Sequence, residues 1–339
     1  MRIAVTGSAG FMASHIVDAL LLDGHEVIGL DDLSGGFVEN VPRHPEHTFY
    51  PVDLSDAIET KRIFEKCQPE ILYHLAANAR EGASFFDPLD VTRRNLFAYM
   101  STLEACIATG KLKKVVFFSS MSRWGDQMPP FTEDLPPKPI DPYAANKVAA
   151  EEITKQLAGA HGFDYTIIIP RNVYGERQSM RDRFRNVLAI WANQILRHEP
   201  VTVFGDGEQV RSFSYIQNSL PCYLKCLIGS SGETVSIGGM RPVTINQAVE
   251  MFIHQFQEYD PEVVHLPDRH GEAKQAWAGV EKSVRLLGYH EGISMEEGFA
   301  RMAAWAKSRG PQPWNYEHQL ALVNELVPKT WRDQPPMVT

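Results

Sequence analysis

Met1-Arg2-Ile3-Ala4-Val5-Thr6-Gly7-Ser8-Ala9-Gly10-Phe11-Met12-Ala13-Ser14-His15 opens the chain, and it reads as a strand, a glycine turn and a helix start. The apolar run at 2–6 meets Gly7-x-x-Gly10-x-x-Ala13, and Ile16, Ala19 and Leu20 continue with helical spacing. Glycines let the backbone turn tightly and approach a pyrophosphate, whose charge the N–H groups of the next helix receive. Phe11 and Met12 would supply those N–H groups. A second strand, Glu26-Val27-Ile28-Gly29-Leu30, ends at Asp31. A carboxylate there accepts hydrogen bonds from a ribose diol and repels a 2′-phosphate, which favours NAD over NADP. Ala13 stands where a third Gly is usual and is small enough for close helix–strand packing.

Working outward, apolar strand-like runs fall at 2–6, 26–30, 47–51, 70–75, 114–118 and 165–170, with helical patterns near 11–23, 56–67, 90–109 and 141–160. Such alternation predicts an α/β fold with a doubly wound parallel sheet, the Rossmann arrangement. Ligands gather beyond the carboxyl ends of its strands, where Gly7, Asp31, Ala77, Ser120 and Asn172 would converge. After residue 173 the strands shorten and Gly, Pro, Arg and aromatic residues become frequent. The reading is a cofactor domain from 1–172 with 206–257, a smaller substrate lobe from 173–205 with 258–315, and a C-terminal extension, 316–339. Helices are expected at 219–228 and 245–257.

Ser120 follows the strand-like Val115-Val116-Phe117-Phe118, and Pro142-Tyr143-Ala144-Ala145-Asn146-Lys147 lies 23 positions after it. Tyr143 and Lys147, four apart, share one helical face. The Lys147 ammonium is expected to draw the Tyr143 phenol down toward the working range of a general base. Ser119 and Ser122 are rivals for the role of Ser120.

The 339 residues are 44% hydrophobic and 22% charged, as in globular proteins, and the net charge of −9 argues against a nucleic-acid partner. No run approaches the ~18 apolar residues of a membrane span, and a strand starting at Arg2 leaves no room for a signal peptide. Cys67, Cys106, Cys222 and Cys226 lack metal-ligand spacing and read as free thiols, so a cytoplasmic location is expected and no metal site.

Together, Gly7-x-x-Gly10, Asp31, Asp53, His74-Leu75-Ala76-Ala77, Ser120 and Tyr143-x-x-x-Lys147 resemble the extended short-chain dehydrogenase/reductases, and within them the nucleotide-sugar epimerases and dehydratases. The resemblance continues through Asn172-Val173-Tyr174-Gly175, Val203-Phe204-Gly205-Asp206-Gly207, Arg211-Ser212-Phe213 and Leu286-Leu287-Gly288-Tyr289, covering roughly residues 1 to 308. It implies Tyr143 as the base, Lys147 on the nicotinamide ribose and Ser120 on the reacting oxygen. It also implies Asp53 and Leu54 around adenine, Leu75, Ala76 and Ala77 along the ribose side, and Asn95 near the cofactor. Asp53 could equally cap the helix beginning near Ala57, with Ser55 a rival cap. Structural packing is expected of His74.

For the substrate, the resemblance implies Asn172 on the sugar and diphosphate, Asn186 and Val187 on the diphosphate, and Val203 and Phe204 flanking a flat base. Arg211 and Arg269 would face phosphates, with surface ion pairs as the plainer alternative, and Glu272 would grip the nucleotide ribose. Ala276 would admit an N-acetyl group, whereas Arg177 could pair with a uronic acid carboxylate. Dehydratases of the family carry Asp-Glu after the strand-end hydroxyl; here the text is Met121-Ser122-Arg123-Trp124. The expectation is therefore NAD-dependent 4-epimerisation of a UDP-sugar by a homodimer. A 4,6-dehydratase, a 4-keto reductase and a non-catalytic NAD-binding regulator are the alternatives. Asn218 and Arg123-Trp124 depart from the family pattern.

Overall fold

A computed structural model describes residues 1–269, 271–316 and 320–332. The part of the expected extension at 317–319 and 333–339 lies outside the described residues. Six parallel strands, β1 (Arg2–Thr6), β2 (Glu26–Asp31), β3 (His47–Pro51), β4 (Ile71–His74), β5 (Lys114–Phe118) and β6 (Asp164–Arg171), coincide closely with the apolar runs. The central ones are buried on both faces, which is why they read as continuous hydrophobic runs and not as alternation. Edge strand β3 is only partly buried and ends at Pro51.

Between these strands run α1 (Phe11–Leu22), α2 (Ala57–Cys67), α3 (Glu81–Ser84), α4 (Pro88–Thr92), α5 (Ala98–Ala108) and α6 (Pro142–His161). Downstream lie β7 (Val173–Tyr174), α7 (Val187–Leu196), β8 (Val201–Phe204), β9 (Val210–Ser212), β10 (Ser214–Tyr215), α8 (Ile216–Lys225) and β11 (Glu233–Gly238). The chain closes with β12 (Pro242–Thr244), α9 (Ile245–Ile253), β13 (Val263–Leu266), β14 (Gln275–Ala276), α10 (Glu281–Leu287), α11 (Met295–Arg309) and α12 (Lys329–Arg332).

The main sheet has seven strands in the order β11-β6-β5-β4-β1-β2-β3, so the chain reverses its direction of travel between β1 and β4. The seventh strand, β11, is one that the apolar runs did not reveal. One face is covered by α1, α7, α8, α9 and α11, the other by α2, α5 and α6. Beside the sheet, β8 pairs with β13, and β9 is flanked by β12 and β14.

The single helix expected over 90–109 is instead α4 and α5 joined by a π-helical turn, Arg93–Phe97. That wider turn accompanies a ladder of ion pairs, Arg93 to Asp53 and Asp90 and Arg94 to Asp90 and Asp32. Helix α8 begins earlier than expected, carrying Pro221 within it, and the helix at 245 stops at Ile253, passing into a 3₁₀ segment kinked at Phe256. Cys106, Cys222 and Cys226 are buried free thiols and Cys67 is half-buried.

Candidate active site

A single cleft of about 730 Å³ runs along the carboxyl ends of β1, β2, β4 and β5. At its cofactor end, Gly7 adopts φ +68°, and a Cβ on it would lie 2.9 Å from the backbone nitrogen of Ala76. A Cβ on Gly10 would meet the Gly7 carbonyl at the same distance, and one on Gly36 would stand 2.7 Å from Ala9. Only glycine satisfies such a floor, and the first turn of α1, with Phe11 and Met12, faces it. Asp31 accepts the Ala9 and Leu33 N–H groups at 3.0 and 2.7 Å. Burial nevertheless pushes its carboxyl up to about 6. Leu75, Ala76 and Ala77 line the wall, with the Leu75 and Ala76 N–H groups donating to Thr6 Oγ1. His74 bonds Thr6 through Nδ1 and packs on Tyr99 and Phe117; burial keeps it neutral, a structural part.

Two expectations change at the adenine side. Neither Asp53 nor Ser55 caps α2; Asp56 does, accepting from Ile58 and Glu59. Asp53 borders the cleft with Leu54, gripping Ser55 and taking Arg93 Nη1 at 2.7 Å. Asn95 does not reach the cleft: it is 4% exposed and donates to the Asn78 and Val91 carbonyls. Its position one layer behind the wall follows from the π-helical turn. The glycine floor, the Asp31 carboxyl and the open α1 terminus fit NAD.

At the other end, Ser120 lies two residues beyond β5 and caps a short 3₁₀ turn, Met121–Trp124. Its hydroxyl favours the Tyr143 phenolate and accepts from Ser122 Oγ at 2.8 Å, while Ser119 donates to buried Glu151. Ser119 is thus engaged by Glu151 and Ser122 by Ser120, which leaves Ser120 as the serine acting on Tyr143. Asp141 caps α6 through the Ala144 N–H, and Pro142 at the first helical position fixes where the helix begins. That start places Tyr143 and Lys147 inward, 3% and 4% exposed. Lys147 Nζ donates to the Phe118 carbonyl at 2.8 Å and stands 5.9 Å from the Tyr143 ring centre.

The electrostatics correct the sequence expectation. Burial raises Tyr143, and Glu81 raises it further, while Ser120 and Arg185 lower it without offsetting that rise. Lys147 itself is pushed down to about 8 by burial, against the opposing pull of Glu151 and Glu81. One Lys147 donor is anchored on a carbonyl, and Ser120 is a neighbouring group that favours the phenolate.

In the substrate half, Asn172 (φ +37°), Asn186 (φ +66°) at the start of α7, Val187, Val203 and Phe204 all border the cleft. Arg269 lies 4.6 Å over the Phe204 ring, and Arg211 and Arg269 converge on Glu272 at 3.3 and 2.9 Å. Ala276 borders the cleft too, backed by Trp124 and Phe131. Arg177 is a correction: it lies outside this cleft, held at 2.6 Å by Asp18 of α1. The other departures also resolve. Arg123 and Trp124 both turn into the core, Arg123 onto Glu151 and Trp124 against Phe131. Asn218 holds both backbone groups of Ile293, which needs a donor that Asp lacks.

A model of the NAD-dependent epimerase/dehydratase family matches residues 3–238. The chain belongs to that family. A UDP-glucose 4-epimerase of Mycolicibacterium smegmatis is 31% identical over 320 residues, 91% of this chain and 99% of that protein. A UDP-glucuronate 4-epimerase of Thermodesulfobacterium geofontis is 30% identical over 315 residues, 89% and 95% of the two chains. Among solved structures, the Thermotoga maritima UDP-glucose 4-epimerase with UDP-glucose superposes with a TM-score of 0.86 at 33% identity, covering 91% of this chain and 99% of that one.

Sequence reading missed Glu81, Arg185 and Asp141. Glu81 borders the cleft with its side chain exposed there, and the protein around it pushes its carboxyl up. Only the Asp-Pro helix start could have pointed to Asp141. Nothing local marks Glu81, because α3 spans four residues.

Proposed function

We propose that this family member is a UDP-sugar 4-epimerase. The observation that carries the reading is that Ser120, Tyr143 and Lys147 border one cleft, beside a strand-end turn whose cleft residues, Met121 and Ser122, carry no acid. NAD supplies the redox chemistry at the sugar carbon. Tyr143 takes the C4 hydroxyl proton and returns it, Ser120 shares the hydrogen bond to that oxygen, and the Lys147 charge orients the ribose beside them. Such acid–base help is worth about 10²–10⁴-fold. Asn172, Asn186, Arg211 and Arg269 hold the diphosphate, with Val203 and Phe204 about the base and Glu272 at its ribose. Ala276 leaves room for either a hydroxyl or an N-acetyl group.

The glucose/galactose and N-acetylated forms fit this arrangement better than the uronic form, since Arg177 is committed to Asp18. A homodimer through α5 and α6, where Phe97 is half-exposed, and a cytoplasmic location belong to the same proposal. No described helix is long and apolar enough to cross a membrane. A second reading, a 4,6-dehydratase, is favoured by one observation, the Glu81 carboxyl in the cleft. NMR of products from UDP-glucose, UDP-N-acetylglucosamine, UDP-glucuronate and dTDP-glucose decides: a C4 epimer is expected, and a 4-keto-6-deoxy product refutes the epimerase.

A further inference from the structure

Glu81 begins α3, which packs on the first turns of α6, where Ser84 Oγ approaches Asp141 Oδ1 at 3.5 Å. The same short helix is backed by the C-terminal segment. A Cβ on Gly82 would lie 2.9 Å from the Trp331 ring, and Trp331 packs with Val327, Phe86 and Phe184. Glu81 is thus held on the cleft wall from behind. Glu81 borders the same cleft as Tyr143 and Lys147 and as Arg211 and Arg269. A hexose joining a diphosphate at those arginines to the reactive trio must pass this carboxylate.

Arg80 and Arg185, which also border the cleft, are both engaged by Asp182, at 3.1 and 3.3 Å. A neutral sugar leaves those pairs undisturbed, whereas a sugar carboxylate would bring a second anion beside Glu81.

We propose that Glu81 sorts the sugar by charge, accepting hydrogen bonds from the hydroxyls of a neutral hexose and excluding hexuronates. This rests on the nucleotide-sugar reading of the cleft. A carboxylate in this position repels another in a screened but partly enclosed site strongly enough to separate affinities by about tenfold or more.

The test is calorimetric titration of the NAD-loaded protein with UDP-glucose and with UDP-glucuronate at pH 8, for the wild type and Glu81→Gln, alongside turnover of both. The wild type is expected to bind UDP-glucose at least about tenfold tighter, and Glu81→Gln to lower that ratio to about threefold or less. Equal wild-type affinities overturn the proposal, with no need of a variant. So does an unchanged ratio in Glu81→Gln, including the case where all turnover is lost, which would assign Glu81 to proton transfer. A wild type that keeps the ratio yet epimerises neither sugar refutes the epimerase reading while leaving the sorting role standing.

Discussion

Replacing Arg123 with Met tests the buried layer beneath the reactive trio. Arg123 and Glu151 are 4% and 0% exposed, with Nη2 and Oε2 3.3 Å apart, and Ser119 supplies the other contact of the carboxylate. Glu151 lies one turn beyond Lys147 on α6. Breaking a buried pair by removing one partner costs about 3–5 kcal/mol, because the remaining charge is uncompensated. Two Arg123 donors, Nε and Nη1, have no hydrogen-bond partner, so their removal returns ~1–2 kcal/mol. Met keeps the length of the aliphatic stem and gives up the guanidinium, which lies 5.7 Å from the Trp124 ring centre. The net loss should be about 2–3 kcal/mol. Arg123→Met/Glu151→Gln should lose less than either single change, since it leaves no unpaired charge.

The pH dependence has a definite sign. Burial raises the Glu151 carboxyl and Arg123 opposes that rise, so without Arg123 the carboxyl titrates higher. A carboxyl raised on folding destabilises increasingly as pH climbs from its unfolded value to its folded one. The variant should therefore be less impaired at pH 6 than at pH 8. Urea unfolding at fixed NAD concentration measures all three changes. A loss below about 1 kcal/mol for Arg123→Met, or losses that simply add in the double variant, would refute the reasoning.

Other outcomes follow from the same geometry. Tyr143→Phe should lower kcat about 10²–10⁴-fold with little change in UDP-sugar affinity, read by product NMR and calorimetry; unaltered turnover would remove Tyr143 from catalysis. Lys147, lowered to about 8, carries its charge below that pH and loses it above. Turnover should accordingly fall on the alkaline side near pH 8, and a limb at 10 or higher would contradict the burial argument. Arg177→Ala should leave the affinity for UDP-glucuronate unchanged, since its partner is Asp18; a tenfold weakening would return Arg177 to the sugar site.

Legibility followed chain locality. Gly7, Gly10 and Asp31 could be read because a turn and two strand ends lie close in sequence, with backbone demands that few residues meet. Tyr143 and Lys147 could be read because a helix repeats. Arg177 misled because an arginine beside a family motif reveals nothing of its partner, which lies 159 positions away. Asn95 misled for another reason: the π-helical turn rotates it behind the wall, and no apolar period reports such a turn. Glu81 was illegible because its environment comes from α6, the arginines after β6 and the C-terminal segment.

The sequence by itself determined the doubly wound sheet and the NAD fingerprint, and it named the candidate trio. Each depends on local backbone geometry or on a repeating period. Tertiary structure alone decided which serine acts on Tyr143, that burial outweighs Ser120 in setting its phenol, and that a carboxylate borders the cleft from α3. Direction, burial and the sum of nearby charges belong to residues that only folding brings together.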